Sequence, residues 1–281
     1  MKRVLKWLFI ICLIIVFTII YARYIGTFGL VTKEYMIKDE NILESMNGLK
    51  IVHFSDLHYN RAININKVDD IVSEINLINP DIVVFTGDLI DKDVTLGNSD
   101  INDLITSFKK INAKYGKYAI MGNHDYDKNK DKFMKIFENS DFTVLNNSYD
   151  IIYSSNMENI FIGGIGTISY SDADISKTLD YLKENTDIDY KIILIHEPDI
   201  VDSIVDDYQV NLILAGHSHN GQVRLPVIGA IYTPPYAKKY YDNYYMVDDT
   251  VLYISSGIGV SSYNYRLFNR PSINFYRINK D

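Results

Sequence analysis

The longest apolar run in the chain is Val4–Ala22, interrupted only by Lys6, Thr18 and Tyr21. Coiled as a helix it would extend about 28 Å, close to the hydrocarbon thickness of a bilayer. It has no polar face, which argues against a helix packed in a soluble core. A signal-peptide core would run only about 7–15 residues before a small-residue cleavage site. Here the exit reads Tyr21-Ala22-Arg23-Tyr24, a poor site for a signal peptidase. The pattern predicts an uncleaved membrane anchor over residues 1–23. Lys6 can snorkel to the near interface, and Trp7 and Tyr21 suit the two headgroup levels. Lys2, Arg3 and Lys6 crowd the N-terminal flank while Arg23 stands alone just past the span. The positive-inside bias then places the N-terminus in the cytoplasm and the body outside.

Residues 24–48 read as a tether with one strand around Val31–Met36, and residues 49–281 as one domain. From Leu49 onward, apolar strand-like runs alternate with amphipathic helices. Strands are expected at Lys50–Ser55, Ile82–Thr86, Tyr118–Met121, Ile160–Gly164, Lys191–Ile195, Asn211–Ala215, Thr250–Ser255 and Ile273–Ile278. Val68, Ile71, Val72, Ile75 and Ile78 follow helical spacing and stop before Pro80. Ile101, Leu104, Ile105, Phe108 and Ile111 repeat that spacing, and Phe133, Ile136 and Phe137 mark a shorter helix. Alternation first and strand-rich sequence later predict an α/β domain with mixed sheets.

With 47% hydrophobic and 23% charged residues over 281 positions, the chain can bury a sizeable core and is neither disordered nor collagen-like. Four of its 28 basic residues lie in the first 23 positions, which hold no acid, leaving 24 basic against 36 acidic residues in the body. So acidic a body is not a long nucleic-acid binder. The single cysteine, Cys12, excludes an intrachain disulfide and a thiolate metal cluster.

The candidate chemistry lies just past the strands. The first expected strand runs into Asp56-Leu57-His58, the second into Gly87-Asp88, and the third into Gly122-Asn123-His124-Asp125. Lys191–Ile195 meets His196, and Asn211–Ala215 meets Gly216-His217-Ser218-His219. Taken singly these are ordinary, since an Asp after a strand is commonly a turn former. Jointly, five O- or N-bearing clusters at strand ends predict one crevice. His53, inside the first strand, reads as a satisfied core residue. Residues two apart in an extended chain share a side, so Asp56 and His58 can bind one ion, and His217 and His219 also face together. Asp88 needs its glycine neighbour to bring the carboxylate close, and its two oxygens can bridge two cations. A nitrogen–oxygen donor set without sulfur suits two divalent ions such as Mn, Fe or Zn. Two carboxylates leave much of that positive charge free to attract a phosphate.

The ordered set D-x-H, GD, GNHD, H and GHSH resembles the calcineurin-like metallophosphoesterase superfamily, over nearly all of residues 49–281. The segments GLKIVHFSDLH, GHSHNGQVRLP and YISSGIGVSSYNYRLFNRPSINFYRI are similar to its membrane-anchored bacterial branch, which includes phosphodiesterases and UDP-2,3-diacylglucosamine pyrophosphatase relatives. GHSHNGQ stands where the family more often has GHTHGGQ, and GNHD where it has GNHE-like ends; neither change removes a ligand. The resemblance implies a four-layer αββα sandwich of two mixed sheets. It implies Asp56, His58 and His219 on one ion, Asn123, His196 and His217 on the other, and Asp88 between them. His124 would be the general acid or transition-state stabiliser, with Asp125 orienting its imidazole.

The expected function is a dinuclear-metal phosphodiesterase or pyrophosphatase near the membrane, with a lipid-linked phosphate as the substrate class the anchor suggests. A nucleotide phosphodiesterase and a non-catalytic metal-binding sensor are the alternatives. Substrate choice would fall to the loops 91–100 and 224–245, the second rich in Tyr and Pro.

Overall fold

The computed structural model describes residues 1–154 and 158–280. In chain order the first strands are β1 (Val31–Lys38), β2 (Leu49–Phe54), β3 (Ile82–Thr86), β4 (Gly116–Ile120), β5 (Thr143–Val144), β6 (Ser148–Tyr153) and β7 (Asn159–Gly164). They are followed by β8 (Tyr190–Leu194), β9 (Leu212–Ala215), β10 (Arg224–Leu225), β11 (Gly229–Ala230), β12 (Tyr244–Val247), β13 (Thr250–Ile254) and β14 (Ser272–Asn279). The helices are α1 (Lys2–Ile20), α2 (Ile65–Ile78), α3 (Asn98–Phe108), α4 (Lys130–Glu138), α5 (Ile175–Leu179), α6 (Tyr181–Glu184) and α7 (Val201–Val205).

Two six-stranded sheets result, ordered β1-β14-β2-β3-β4-β5 and β12-β13-β9-β8-β7-β6. Both are mixed: β14 opposes β2 in the first, while β12 opposes β13 and β6 opposes β7 in the second. Ile51, Val84 and Ile120 meet Ile162, Ile192 and Leu214 in the core between the sheets. The outer face of the first sheet, through Val52 and Phe85, lies under Ile71, Leu104 and Phe137 of α2, α3 and α4. That of the second, through Ile193 and Ile213, lies under Leu179, Val201 and Ile204. This is the expected four-layer αββα sandwich. Its central strands are covered on both faces, which is why they read as unbroken apolar runs.

The helices start and stop as their sequences dictate. The Asn64 side chain accepts the Lys67 amide at 3.1 Å to open α2, and Asn79, with φ 53°, ends it before Pro80. Asp100 accepts the Gly97 amide at 2.9 Å at the start of α3.

Three features differ from the sequence reading. Val31–Lys38 pairs in parallel with β14 along its whole length, so this part of the expected tether is built into the sheet. The sheet-edge strands β6 and β12 are half-exposed and lack a long apolar run. Several strand ends also shift by one or two residues, β4 beginning at Gly116 rather than Tyr118. Among the described residues α1 is the one helix long and apolar enough to cross a membrane, and none of its residues is buried.

Candidate metal centre

The carboxyl ends of β2, β3 and β4 in one sheet and of β8 and β9 in the other open onto the same spot. The loops are tied by backbone bonds: Asp56 N–H donates to Gly87 O at 2.9 Å, His58 N–H to Asp88 O at 3.1 Å, and Gly216 N–H to His196 O at 3.1 Å. Two glycines permit the approach. A Cβ on Gly87, whose φ is 93°, would lie 2.7 Å from His196 Nδ1, and one on Gly122 would lie 2.6 Å from His196 Cε1. The close approach expected beside Asp88 is therefore real and involves both turns.

All seven expected ligands are brought together. Asp56, His58 and His219 form one group and Asp88, His196 and His217 another, with their donor atoms within 4.8 Å of one another in each. Asn123 Oδ1 lies 3.2 Å from His196 Nε2. Asp88 Oδ2 faces both groups, 3.3 Å from His196 Nε2 and 3.7 Å from His58 Nε2, while Oδ1 accepts the His124 amide at 2.8 Å. His58 Nε2 lies 3.1 Å from His219 Nε2, which is 3.4 Å from Asp56 Oδ1.

The route to this convergence is not the alternation of an extended chain. Asp56, His58, Asp88, His217 and His219 all have φ between 43° and 65°. Left-handed non-glycine residues are strained and persist only where surrounding structure fixes them. Here the fixing is visible, since the Asp56 carboxylate accepts the His217 amide at 3.1 and 3.2 Å.

The donor set fits divalent cations. His196 Nδ1 donates to Thr86 O at 2.6 Å, so in its neutral form the ring would present a bare Nε2 to two oxygens, Asn123 Oδ1 and Asp88 Oδ2. Three lone pairs converging without a proton call for positive charge. His217 likewise spends Nε2 on Pro235 O at 2.8 Å, leaving Nδ1 for an ion. Burial opposes charging of both His196 and Asp88, yet their mutual attraction raises the imidazole pKa well above its ordinary value and holds the carboxyl well below, so with no cation bound the ring takes up a proton and supplies the positive charge these oxygens require. Burial pushes His58 down to about 3 and lowers His217 and His219, keeping those rings in the neutral, metal-binding form. Burial also raises Asp56 to about 7.

His124 and Asp125 sit in the short turn after β4. The Lys92 amide donates to His124 Nδ1 at 3.2 Å, which puts the exchangeable ring proton on Nε2. Asp125 corrects its expected role. Its carboxylate accepts the amides of Asp88 at 2.7 Å, Leu89 at 2.9 Å, Ile90 at 3.2 Å and Gly122 at 2.9 Å, so it clamps the two turns rather than orienting the His124 ring. His53 is a core residue as expected, with Nε2 2.7 Å from Thr86 Oγ1 and Nδ1 3.2 Å from Tyr276 OH.

Two residues at the site were given no role by sequence reasoning. Asp91 is fully buried, 3.6 Å from His58 Nδ1 and paired to Arg61 at 2.5 Å. Its only signal was a further carboxylate three residues past Asp88. Arg266, also fully buried, reaches His219 Nδ1 at 3.2 Å from 47 residues away.

Known proteins resemble this chain closely. The calcineurin-like phosphoesterase family model matches residues 49–221. The uncharacterized metallophosphoesterase YkuE of Bacillus subtilis is 34% identical over 259 residues, spanning 92% of this chain and 88% of its own. The phosphodiesterase YaeI of Escherichia coli is 26% identical over 234 residues, 80% of each chain. A transmembrane protein with metallophosphoesterase domain from Danio rerio is 26% identical over 276 residues, 92% of this chain and 61% of its own.

Proposed function

From the premise that the chain belongs to the calcineurin-like phosphoesterase family, as a metal-dependent hydrolase, we propose that it cleaves phosphodiester or pyrophosphate bonds of a lipid-linked phosphate at a membrane surface. The observation that carries the reading is the gathering of Asp56, His58 and His219 beside Asp88, His196, His217 and Asn123, with Asp88 Oδ2 facing both groups. Asp56, His58 and His219 would hold one divalent ion and Asn123, His196 and His217 the other, with Asp88 placed to serve both. When bound, two such ions offset phosphate charge and lower the pKa of water. The protein's own groups do the rest. Asp125 fixes the Asp88 turn, and the glycines at 87 and 122 let the ligands close up. His124, held through Nδ1, has Nε2 free to stabilise a phosphate oxygen or protonate the leaving oxygen.

The membrane part rests on α1, a span-length apolar helix none of whose residues is buried. The basic flank at Lys2, Arg3 and Lys6 supports an extracytoplasmic domain. Mn, Fe and Zn all suit the donors. The test is hydrolysis of bis-p-nitrophenyl phosphate, then of a panel of lipid phosphates, lipid pyrophosphates and nucleotides, with Mn²⁺ added. Activity should vanish in Asp88→Ala and His217→Ala. Turnover surviving both changes would refute the site, and turnover confined to nucleotides would refute the lipid part.

A further inference from the structure

The turn between β10 and β11 carries side chains the fold does not use. Val227 is fully exposed and Ile228 is 71% exposed, in an uncharged stretch from Leu225 to Tyr232. Val227 also has φ 70°. That conformation suits glycine or asparagine, and a β-branched residue there is strained. The turn would close more easily without this side chain, and among the described residues no burial of it repays the strain. Ile231 and Tyr232 extend the same apolar strip, both more than half exposed.

The strip is continuous with the exit of the apolar helix. Arg224 N–H donates to Leu267 O at 3.0 Å, and Gln222 Nε2 donates to the carbonyls of Tyr263 at 2.8 Å and Tyr265 at 2.9 Å. The same 263–267 segment grips the end of the helix: Arg266 N–H donates to Ala22 O at 2.9 Å, and Arg23 Nη1 to Asn264 O at 3.0 Å. Gly26 packs against the Arg266 carbonyl so closely that a Cβ would not fit. Exposed Tyr263 and Phe268 fill the space along the segment. Tyrosines beside short aliphatics are the chemistry of a bilayer's headgroup level.

We propose that the β10–β11 hairpin is a second membrane contact, its Val227–Ile228 tip entering the headgroup and acyl boundary of the bilayer that α1 crosses. The inference rests on reading α1 as an anchor. Once α1 is inserted, the hairpin meets the surface at high effective concentration, so a small apolar tip suffices. The hairpin follows His219 by only a few residues, and Pro235, just beyond it, supplies the carbonyl that holds His217. Seating the tip therefore turns the metal centre toward the lipid headgroups, and a substrate presented by the membrane need not leave it.

The test uses the full chain in phosphatidylethanolamine–phosphatidylglycerol vesicles containing a lipid with a shallow doxyl quencher, or for Cys12 a lipid with a deep one. A polarity-sensitive fluorophore is placed on Val227→Cys or Ile228→Cys in a Cys12→Ser background. Asp249→Cys, in the β12–β13 turn at the opposite end of the sheets, is the reference, and native Cys12 reports on α1. Labels at 227 and 228 should be quenched roughly threefold more than at 249. Quenching at Cys12 but none in excess at 227 and 228 would leave the anchor standing and overturn the hairpin contact. No lipid quenching at Cys12 would overturn the anchor and this inference with it. Blue-shifted emission at 227 without lipid quenching would mean that protein, such as a second copy, covers the tip, and would also overturn it.

Discussion

Arg266 Nη2 lies 3.2 Å from His219 Nδ1 in the floor of the metal centre. The same nitrogen is 2.6 Å from Gly259 O, 2.8 Å from Ser256 O and 3.0 Å from Gly257 O. Two protons cannot serve four acceptors, so the carbonyls take them and the imidazole rests against the guanidinium. Nη1 and Nε add Asn269 O and Gly259 O. Arg266 thus organises the tail segment against which His219, in the turn after β9, packs.

Arg266→Lys keeps a positive charge but cannot fork to these carbonyls. Several buried acceptors lose partners, and stability should fall by about 3 kcal/mol, with metal content falling alongside. Thermal denaturation and metal analysis of the purified variant check this. An unchanged melting temperature would remove Arg266 from the account.

Asp125→Asn leaves an amide NH₂ facing some of the four backbone donors that the carboxylate now accepts. The Asp88 turn should loosen at a cost of about 2 kcal/mol or more. Manganese affinity should drop, visible in titration calorimetry. If Asp125 served instead to orient His124, metal affinity would be retained and only turnover would change.

Position at strand ends was readable in the sequence for all seven ligands, because a run such as IVVFT followed by GD announces both the strand and its exit. The four layers were readable for the same reason: doubly covered strands and amphipathic helices have unlike periods. What was not readable is how the loops bend. Asp56 and His58 converge through left-handed backbone, a choice imposed by partners in other loops and absent from local spacing. Asp125 looked like a neighbour for His124 in GNHD, yet its partners lie mostly 35 to 37 residues back in the chain. The pairing of β1 with β14 joins opposite ends of the chain, and no local pattern specifies it.

Removal of metal should destabilise the protein strongly. Asp56, Asp88 and the imidazoles of His58, His196 and His219 are packed at contact distances of 3.1 to 3.7 Å with few protons to share. Ions that bind only the folded state at about 100 times their dissociation constant add about 2.7 kcal/mol. Prolonged chelation should therefore lower the melting temperature by several degrees, and added Mn²⁺ should restore it. A melting curve indifferent to chelator and to Mn²⁺ would count against a metal centre here.

His53 offers a pH dependence separable from the metal ligands. Burial lowers its pKa from 6.5 to about 3, and its ring nitrogens are engaged by Thr86 and Tyr276. Between those values the unfolded chain binds a proton that the folded chain does not. His53 therefore leaves the fold undisturbed above pH 6.5, and stability is lost as pH falls toward 3, by up to about 1.4 kcal/mol per pH unit. His53→Leu abolishes this titration, at the cost of about 2 kcal/mol near neutral pH for the hydroxyls left unpaired. The stability advantage of the native chain over His53→Leu should shrink steadily from pH 7 to pH 4 in urea denaturation. Titration of the metal ligands is common to both proteins and cancels in that difference. A difference independent of pH would mean that the ring titrates alike in the folded and unfolded chains.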